Sequence, residues 1–119
     1  MGMKIKDING NLIEVTDPEA AVQQCRDCIN SPYVMESGHT VGENHAYMLY
    51  QLLCIRQRRK RWLPSTRQRY ESGKRFTKSE MAYEIGRCKP NHAAALYPGS
   101  MKRDKIVEYF NELFGTDIR

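Results

Sequence analysis

Apolar and polar positions near the start of the chain form two short segments on either side of a turn signal. Residues 4–8 and 12–15 carry Ile, Leu and Val among polar residues, which is typical of short strands. Between them lies Asn9-Gly10-Asn11, and Asn-Gly strongly favours a tight turn. Two short strands are marginally stable by themselves, so we expect this β-hairpin to pack against a helix.

Beyond residue 15, apolar positions recur every three to four residues, which predicts helices. Four of the predicted helix starts carry a capping box, in which Ser or Thr is followed three residues later by Glu or Gln. These pairs are Thr16 with Glu19, Thr40 with Glu43, Ser65 with Gln68, and Thr77 with Glu80. The predicted helices cover residues 17–30, 41–62, 66–72, 78–85 and 90–97, and a last helix follows a cap at Ser100 and closes at Gly115.

Proline and glycine residues indicate where the predicted helices end. Pro64 is expected to end the second helix, and Gly86 is expected to form a left-handed cap between two short helices. Two short helices joined by a glycine turn have helix-turn-helix geometry. The predicted fold is therefore one mainly α domain over residues 1–119. A small N-terminal β-hairpin and two helices occupy residues 1–64, and a helix-turn-helix-like half occupies residues 65–119.

Charge is distributed very unevenly along this predicted fold. The total is +5, yet residues 54–78 hold ten basic side chains against Glu71 alone, a local net charge of +9. Like charges packed this closely repel one another, and a polyanion relieves that repulsion. Phosphate backbones are the commonest polyanions in a cell, so we expect these cations to bind nucleic acid. They are Arg56, Arg58, Arg59, Lys60, Arg61, Arg67, Arg69, Lys74, Arg75 and Lys78.

The C-terminal half also resembles a known family of DNA-binding domains. Residues 77–86 (TKSEMAYEIG), residues 92–96 followed by Gly99, and the spacing Ile106, Phe110, Leu113-Phe114-Gly115 together resemble the helix-turn-helix domains of the phage lambda repressor/Cro (XRE) family. The resemblance covers roughly residues 67–118. It implies that Lys78 contacts phosphate and that Lys89, Asn91 and His92 face the DNA groove. It also implies a homodimer, because such proteins often bind DNA as dimers.

These observations predict a DNA-binding protein that is not an enzyme and needs no cofactor. A small transcriptional or mobile-element accessory factor is the role that its size and charge suggest, and RNA is an alternative partner. A second hypothesis is a protein-interaction adaptor whose basic patch meets an acidic partner surface. A third is a structural zinc module.

The zinc hypothesis depends on the spacing Cys25, Cys28, His39 and His45, which is close to that of a Cys2His2 site. The two cysteines follow a helical pattern rather than a turn, so a buried thiol pair is the simpler interpretation. A different cysteine, Cys88, stands beside Arg87 and Lys89, and we expect this charge to lower the pKa of its thiol. Nothing near it in sequence completes a nucleophile and base pair.

The chain shows no targeting or membrane-spanning pattern. No apolar run approaches the roughly 18 residues that a membrane span needs, and no signal-peptide pattern is visible at the start. We therefore expect a cytoplasmic protein.

Overall fold

The computed structural model describes residues 2–119 and has a mainly α fold with a small N-terminal β-hairpin, as predicted. No helix in this range is long and apolar enough to cross a membrane. The two strands are β1 (Met3–Lys6) and β2 (Leu12–Val15). The helices are α1 (Pro18–Cys28), α2 (Val41–Lys60), α3 (Pro64–Glu71), α4 (Lys78–Cys88), α5 (Ala93–Leu96) and α6 (Arg103–Phe114), with a 3₁₀ turn at Pro98–Ser100 before α6.

The hairpin forms where the Asn-Gly signal places it. The strands are antiparallel, with Met3 opposite Val15, and the turn is closed by the Asp7 carboxylate. This carboxylate accepts hydrogen bonds from the backbone amides of Asn9 (3.0 Å) and Asn11 (2.8 Å). Gly10 has φ of +88°, a left-handed conformation that favours glycine. The first strand ends at Lys6, before the predicted residue 8.

The helix starts in the first half are partly as predicted. The capping box of Thr40 and Glu43 is present, with mutual hydrogen bonds of 3.0 and 3.1 Å at the start of α2. The box predicted at Thr16 is wrong, because Asp17 takes that position and accepts a hydrogen bond from the Ala20 amide. An aspartate is an equally good cap, so the start of the helix shifts by one residue.

In the second half, α4 has its predicted capping box between Thr77 and Glu80. The box predicted at Ser65 is wrong, because Pro64 is already the first residue of α3 and the N-cap, Leu63, has no side-chain hydrogen bond. Proline suits the first helical position, so Pro64 begins one helix rather than simply ending another. The predicted left-handed cap at Gly86 is also wrong, because α4 continues through this residue to Cys88.

Helices α5 and α6 begin at other residues than predicted, whereas α6 ends where predicted. Helix α5 has only four residues, and His92 caps it by accepting a hydrogen bond from the Ala94 amide. Helix α6 has Lys102 at its N-cap position, so the predicted cap at Ser100 is wrong. The predicted closure at Gly115 is confirmed by its left-handed φ of +63°.

The chain consists of two compact units, one ending at Arg56 and the other comprising Gln57–Arg119. The boundary lies inside α2, upstream of the division expected between residues 64 and 65. Each unit has its own buried cluster. The first contains Met3, Ile5, Val15, Val22, Cys25, Leu52 and Ile55. The second contains Trp62, Phe76, Met81, Ile85, Ala94, Ile106, Phe110, Leu113 and Phe114.

Candidate nucleic-acid interface

Two arginines of the predicted basic patch stabilise the end of α6. Arg59 donates hydrogen bonds to the carbonyl oxygens of Phe114 (2.7 Å) and Gly115 (2.8 Å), and Arg58 donates one to the carbonyl of Leu113 (3.1 Å). The last carbonyls of a helix have no partner within it, and positive charge is favourable at this end of the helix dipole. Arg59 is only 3% exposed, so it serves the fold and is removed from the predicted interface.

Four further cations of the predicted patch already have partners within the protein. Two of them pair with a carboxylate, which compensates their charge, and two donate to a backbone carbonyl oxygen, which occupies the side chain without cancelling its charge. The pairs are Arg56 with Glu19 (2.8 Å), Arg67 with the Arg59 carbonyl (2.7 Å), Arg69 with Glu80 (2.6 Å) and Lys78 with the Met101 carbonyl (2.8 Å).

Five predicted cations remain available to a partner molecule. Each is exposed, and none has a side-chain hydrogen bond or an ion pair within residues 2–119. All of them belong to the second unit. These cations are Lys60, Arg61, Lys74, Arg75 and Lys89.

Of the three residues expected to face a DNA groove, Lys89 and Asn91 are available and His92 is used by the fold. Asn91 is exposed. The His92 ring, by contrast, caps α5 through Nδ1 and stacks on Tyr109, with ring centroids 3.8 Å apart and planes within 8°. His92 therefore holds α5 against α6, whereas Lys89 and Asn91 keep the exposure that contact with DNA requires.

Arginine side chains also converge near the C-terminal end of α4. Burial raises the pKa of the Cys88 thiol, and nearby Glu84 acts in the same direction. Arg58, Arg61 and Arg87 lie close enough to act in the opposite direction without reversing the shift. The expectation that Cys88 has a lowered pKa is therefore wrong, because its desolvation outweighs the neighbouring positive charge.

Sequence reasoning missed several exposed residues of this unit. Arg87 lies over the ring of Tyr83, with its guanidinium carbon 5.9 Å from the ring centroid, and Lys102 and Lys105 are exposed at the start of α6. Tyr83 and Tyr97 are 55% and 63% exposed. A helical period could have placed Tyr83 opposite the buried Met81, Ala82 and Ile85, whereas nothing local indicated that Tyr97 is exposed.

The proposed zinc ligands are not assembled into a site. No group of three or more His, Cys, Asp or Glu residues suited to a metal occurs within residues 2–119. His39 lies 3.6 Å from the Glu43 carboxylate, and His45 bonds the Val41 carbonyl through Nδ1 (2.8 Å). Cys25 is buried, and its burial together with the nearby Cys28 thiol raises its pKa, which disfavours the thiolate that zinc requires.

Comparison with known proteins adds no relative. No family model, no curated protein and no solved structure matches the chain.

Proposed function

We propose that this protein binds nucleic acid, with DNA as the first candidate, through the exposed cations of its second unit. The observation that carries the proposal is the partition of charge between the units. The unit Gln57–Arg119 contains 15 basic and 7 acidic side chains, a net charge of +8, whereas residues 1–56 contain 4 basic and 7 acidic side chains, a net charge of −3.

The available cations suit a phosphate backbone. Lys60 and Arg61 follow directly on one another, as do Lys74 and Arg75, and Lys89 stands just after α4. None of these side chains is needed by the fold, so each can neutralise a phosphate while the internal hydrogen bonds stay intact. Contacts of this kind supply sequence-independent affinity through release of counterions.

Sequence-specific contacts are few in this proposal. Asn91 is the exposed polar side chain beside α5, and asparagine can pair with adenine in a two-pronged manner. The remaining α5 residues, Ala93–Leu96, bring no hydrogen-bonding side chains. Phosphate contacts therefore dominate the binding energy, and the protein acts without chemistry of its own, as a cytoplasmic accessory factor.

The test measures binding to a short, labelled, random-sequence DNA duplex at a series of salt concentrations. Fluorescence anisotropy of the labelled DNA reports the binding. The intact chain should show a log-linear decrease of affinity with salt. The double variant Lys60→Ala, Arg61→Ala should weaken binding and reduce the magnitude of the slope by about 0.9 for each phosphate that the variant no longer neutralises.

The matched control is Lys6→Ala, Arg26→Ala, which removes the same charge from exposed positions in the first unit. It should leave both affinity and slope unchanged. Equal weakening by the two variants would show that net charge alone matters, with no interface in the second unit. Absence of salt-dependent binding would overturn the proposal in favour of a protein-binding adaptor.

A further inference from the structure

Large apolar side chains are exposed around the contact between α4 and α5. In the second unit, Tyr83, Leu96 and Tyr97 are 55%, 52% and 63% exposed. A tyrosine ring in water leaves an apolar face uncovered, and this face can stack on another planar ring. These residues lie in the same unit that carries the excess positive charge.

The two tyrosines are near in sequence to one contact between helices. Gly86 of α4 lies against Ala95 of α5, and a Cβ at residue 86 would lie 3.4 Å from the Ala95 Cβ. Tyr83 stands one turn before Gly86 on the same side of α4, and Tyr97 follows Ala95 by two residues. Each exposed ring is therefore carried by a residue within three positions of the contact between α4 and α5.

One cation lies against the Tyr83 ring, and a second is close to it in sequence. The Arg87 guanidinium lies over the Tyr83 ring and is 3.9 Å from the Glu84 carboxylate, and Lys89 is exposed just after α4. Exposed aromatic rings beside cations are the arrangement by which proteins bind single-stranded nucleic acid, because bases stack on the rings while phosphates meet the charges.

The same surface is poorly suited to reading duplex DNA. Helix α5 is a single turn composed of three alanines and a leucine, and Ala94 is completely buried. Base edges in the major groove are read by hydrogen-bonding side chains, which these residues lack. Tyrosine rings cannot stack on bases that remain paired and stacked within a duplex.

We infer that the second unit binds unpaired nucleotides, with bases stacked on Tyr83 and Tyr97 and phosphates held by Arg87 and Lys89. This inference rests on the proposed function and narrows its substrate to single-stranded nucleic acid. Single-stranded DNA and single-stranded RNA offer the same stacking and phosphate chemistry, so the test includes both.

The experiment compares binding of the full chain to a labelled single strand, to the corresponding duplex and to a single strand of RNA, at one salt concentration. Both single strands should bind more tightly than the duplex. Whichever of single-stranded DNA and single-stranded RNA binds more tightly is the preferred ligand. Tyr83→Ala and Tyr97→Ala should each weaken single-strand binding by about fivefold or more, because stacking on an aromatic side chain contributes at least this much per base.

Two sets of variants separate stacking from other effects. Tyr83→Phe and Tyr97→Phe keep the ring and should retain most of the affinity. Tyr47→Ala and Tyr50→Ala remove exposed tyrosines from the first unit and should change nothing. Circular dichroism of every variant should match that of the intact chain, since all of these rings are exposed.

The outcomes distinguish failure of the single-strand inference from failure of the proposed nucleic-acid binding. If the duplex binds as tightly as the single strands, or if the alanine variants at Tyr83 and Tyr97 bind normally while Lys60→Ala, Arg61→Ala is weakened, the protein binds nucleic acid without a stacking surface. The inference is then wrong and the proposed function stands. If no nucleic acid binds in a salt-dependent manner, both are wrong.

Discussion

Neighbouring basic residues in this chain have opposite physical roles. Arg59 is buried, bonds the last carbonyls of α6, and has its guanidinium carbon 5.7 Å from the Trp62 ring centroid and 5.4 Å from that of Tyr70. Burial lowers the pKa of its guanidinium, and the Tyr70 side chain opposes this shift. Arg61, two positions later, is exposed. Positive charge in the same run therefore stabilises the fold at one position and remains available to a partner at another.

These roles predict different effects on stability. Arg59→Ala removes the donors of two buried carbonyls and the packing between two aromatic rings, and we expect it to lower the free energy of unfolding by about 3 kcal/mol or more. Arg61→Ala should change it by less than about 0.5 kcal/mol, as is usual for exposed residues. Urea denaturation followed by the fluorescence of Trp62, the single tryptophan, measures both. Equal effects would contradict the assignment of Arg59 to the core.

At the scale of elements, the conformation of Gly86 determines where α4 ends and the connection to α5 begins. The resemblance to helix-turn-helix domains implies a turn at this residue, whereas the structure has a continuous helix from Lys78 to Cys88. Gly86 lies at the contact with Ala95, where an added Cβ would be 3.4 Å from the Ala95 Cβ, so the contact leaves room for a methyl group. The glycine is therefore an ordinary residue of α4, and the connection to α5 begins only after Cys88.

A glycine-to-alanine substitution distinguishes a helical residue from a turn. At Gly86 the added Cβ meets Ala95 at ordinary van der Waals distance, so Gly86→Ala should stabilise the protein by about 0.5–1 kcal/mol through higher helix propensity. Gly115→Ala is the control, because its φ of +63° is left-handed, and we expect it to destabilise by about 1 kcal/mol. The same urea titration applies. Destabilisation by Gly86→Ala would indicate a turn at that position.

At the scale of the whole molecule, the two units differ in both core and charge. The first unit buries side chains of the hairpin, α1 and the first part of α2, and the second buries Trp62 and Phe76 with side chains of α4 to α6. Acidic side chains predominate in the first unit and basic ones in the second. A polyanion is therefore attracted to only one of the units, which confines the proposed interface to the C-terminal half.

Separate cores predict separate responses to cavities. Leu52→Ala removes a buried side chain of the first core, and Phe110→Ala removes one of the second, each at a cost of about 2–5 kcal/mol. Amide hydrogen exchange measured by NMR should show reduced protection mainly in the unit that carries the substitution. A uniform reduction over both units after either substitution would mean that the chain opens as one cooperative body.

Local chemistry in the sequence was sufficient for several features. The hairpin follows from Asn9-Gly10, the starts of α2 and α4 from the capping residues Thr40 and Thr77, and the end of α6 from Gly115. Each rests on hydrogen bonds or backbone angles within about five residues, so the sequence contains all that they need. The concentration of positive charge after residue 53 was likewise visible without a structure.

Only the tertiary structure determined which of those basic side chains are exposed to a partner and which are used within the fold. Arg59 is hydrogen bonded to carbonyl groups more than fifty residues away, and the His92 ring stacks on Tyr109 of α6. Helix α4 continues through Gly86, which lies against Ala95, and the exposure of Tyr97 depends on where α5 lies. These outcomes arise from contacts between distant segments, and a linear pattern does not specify which segments will meet.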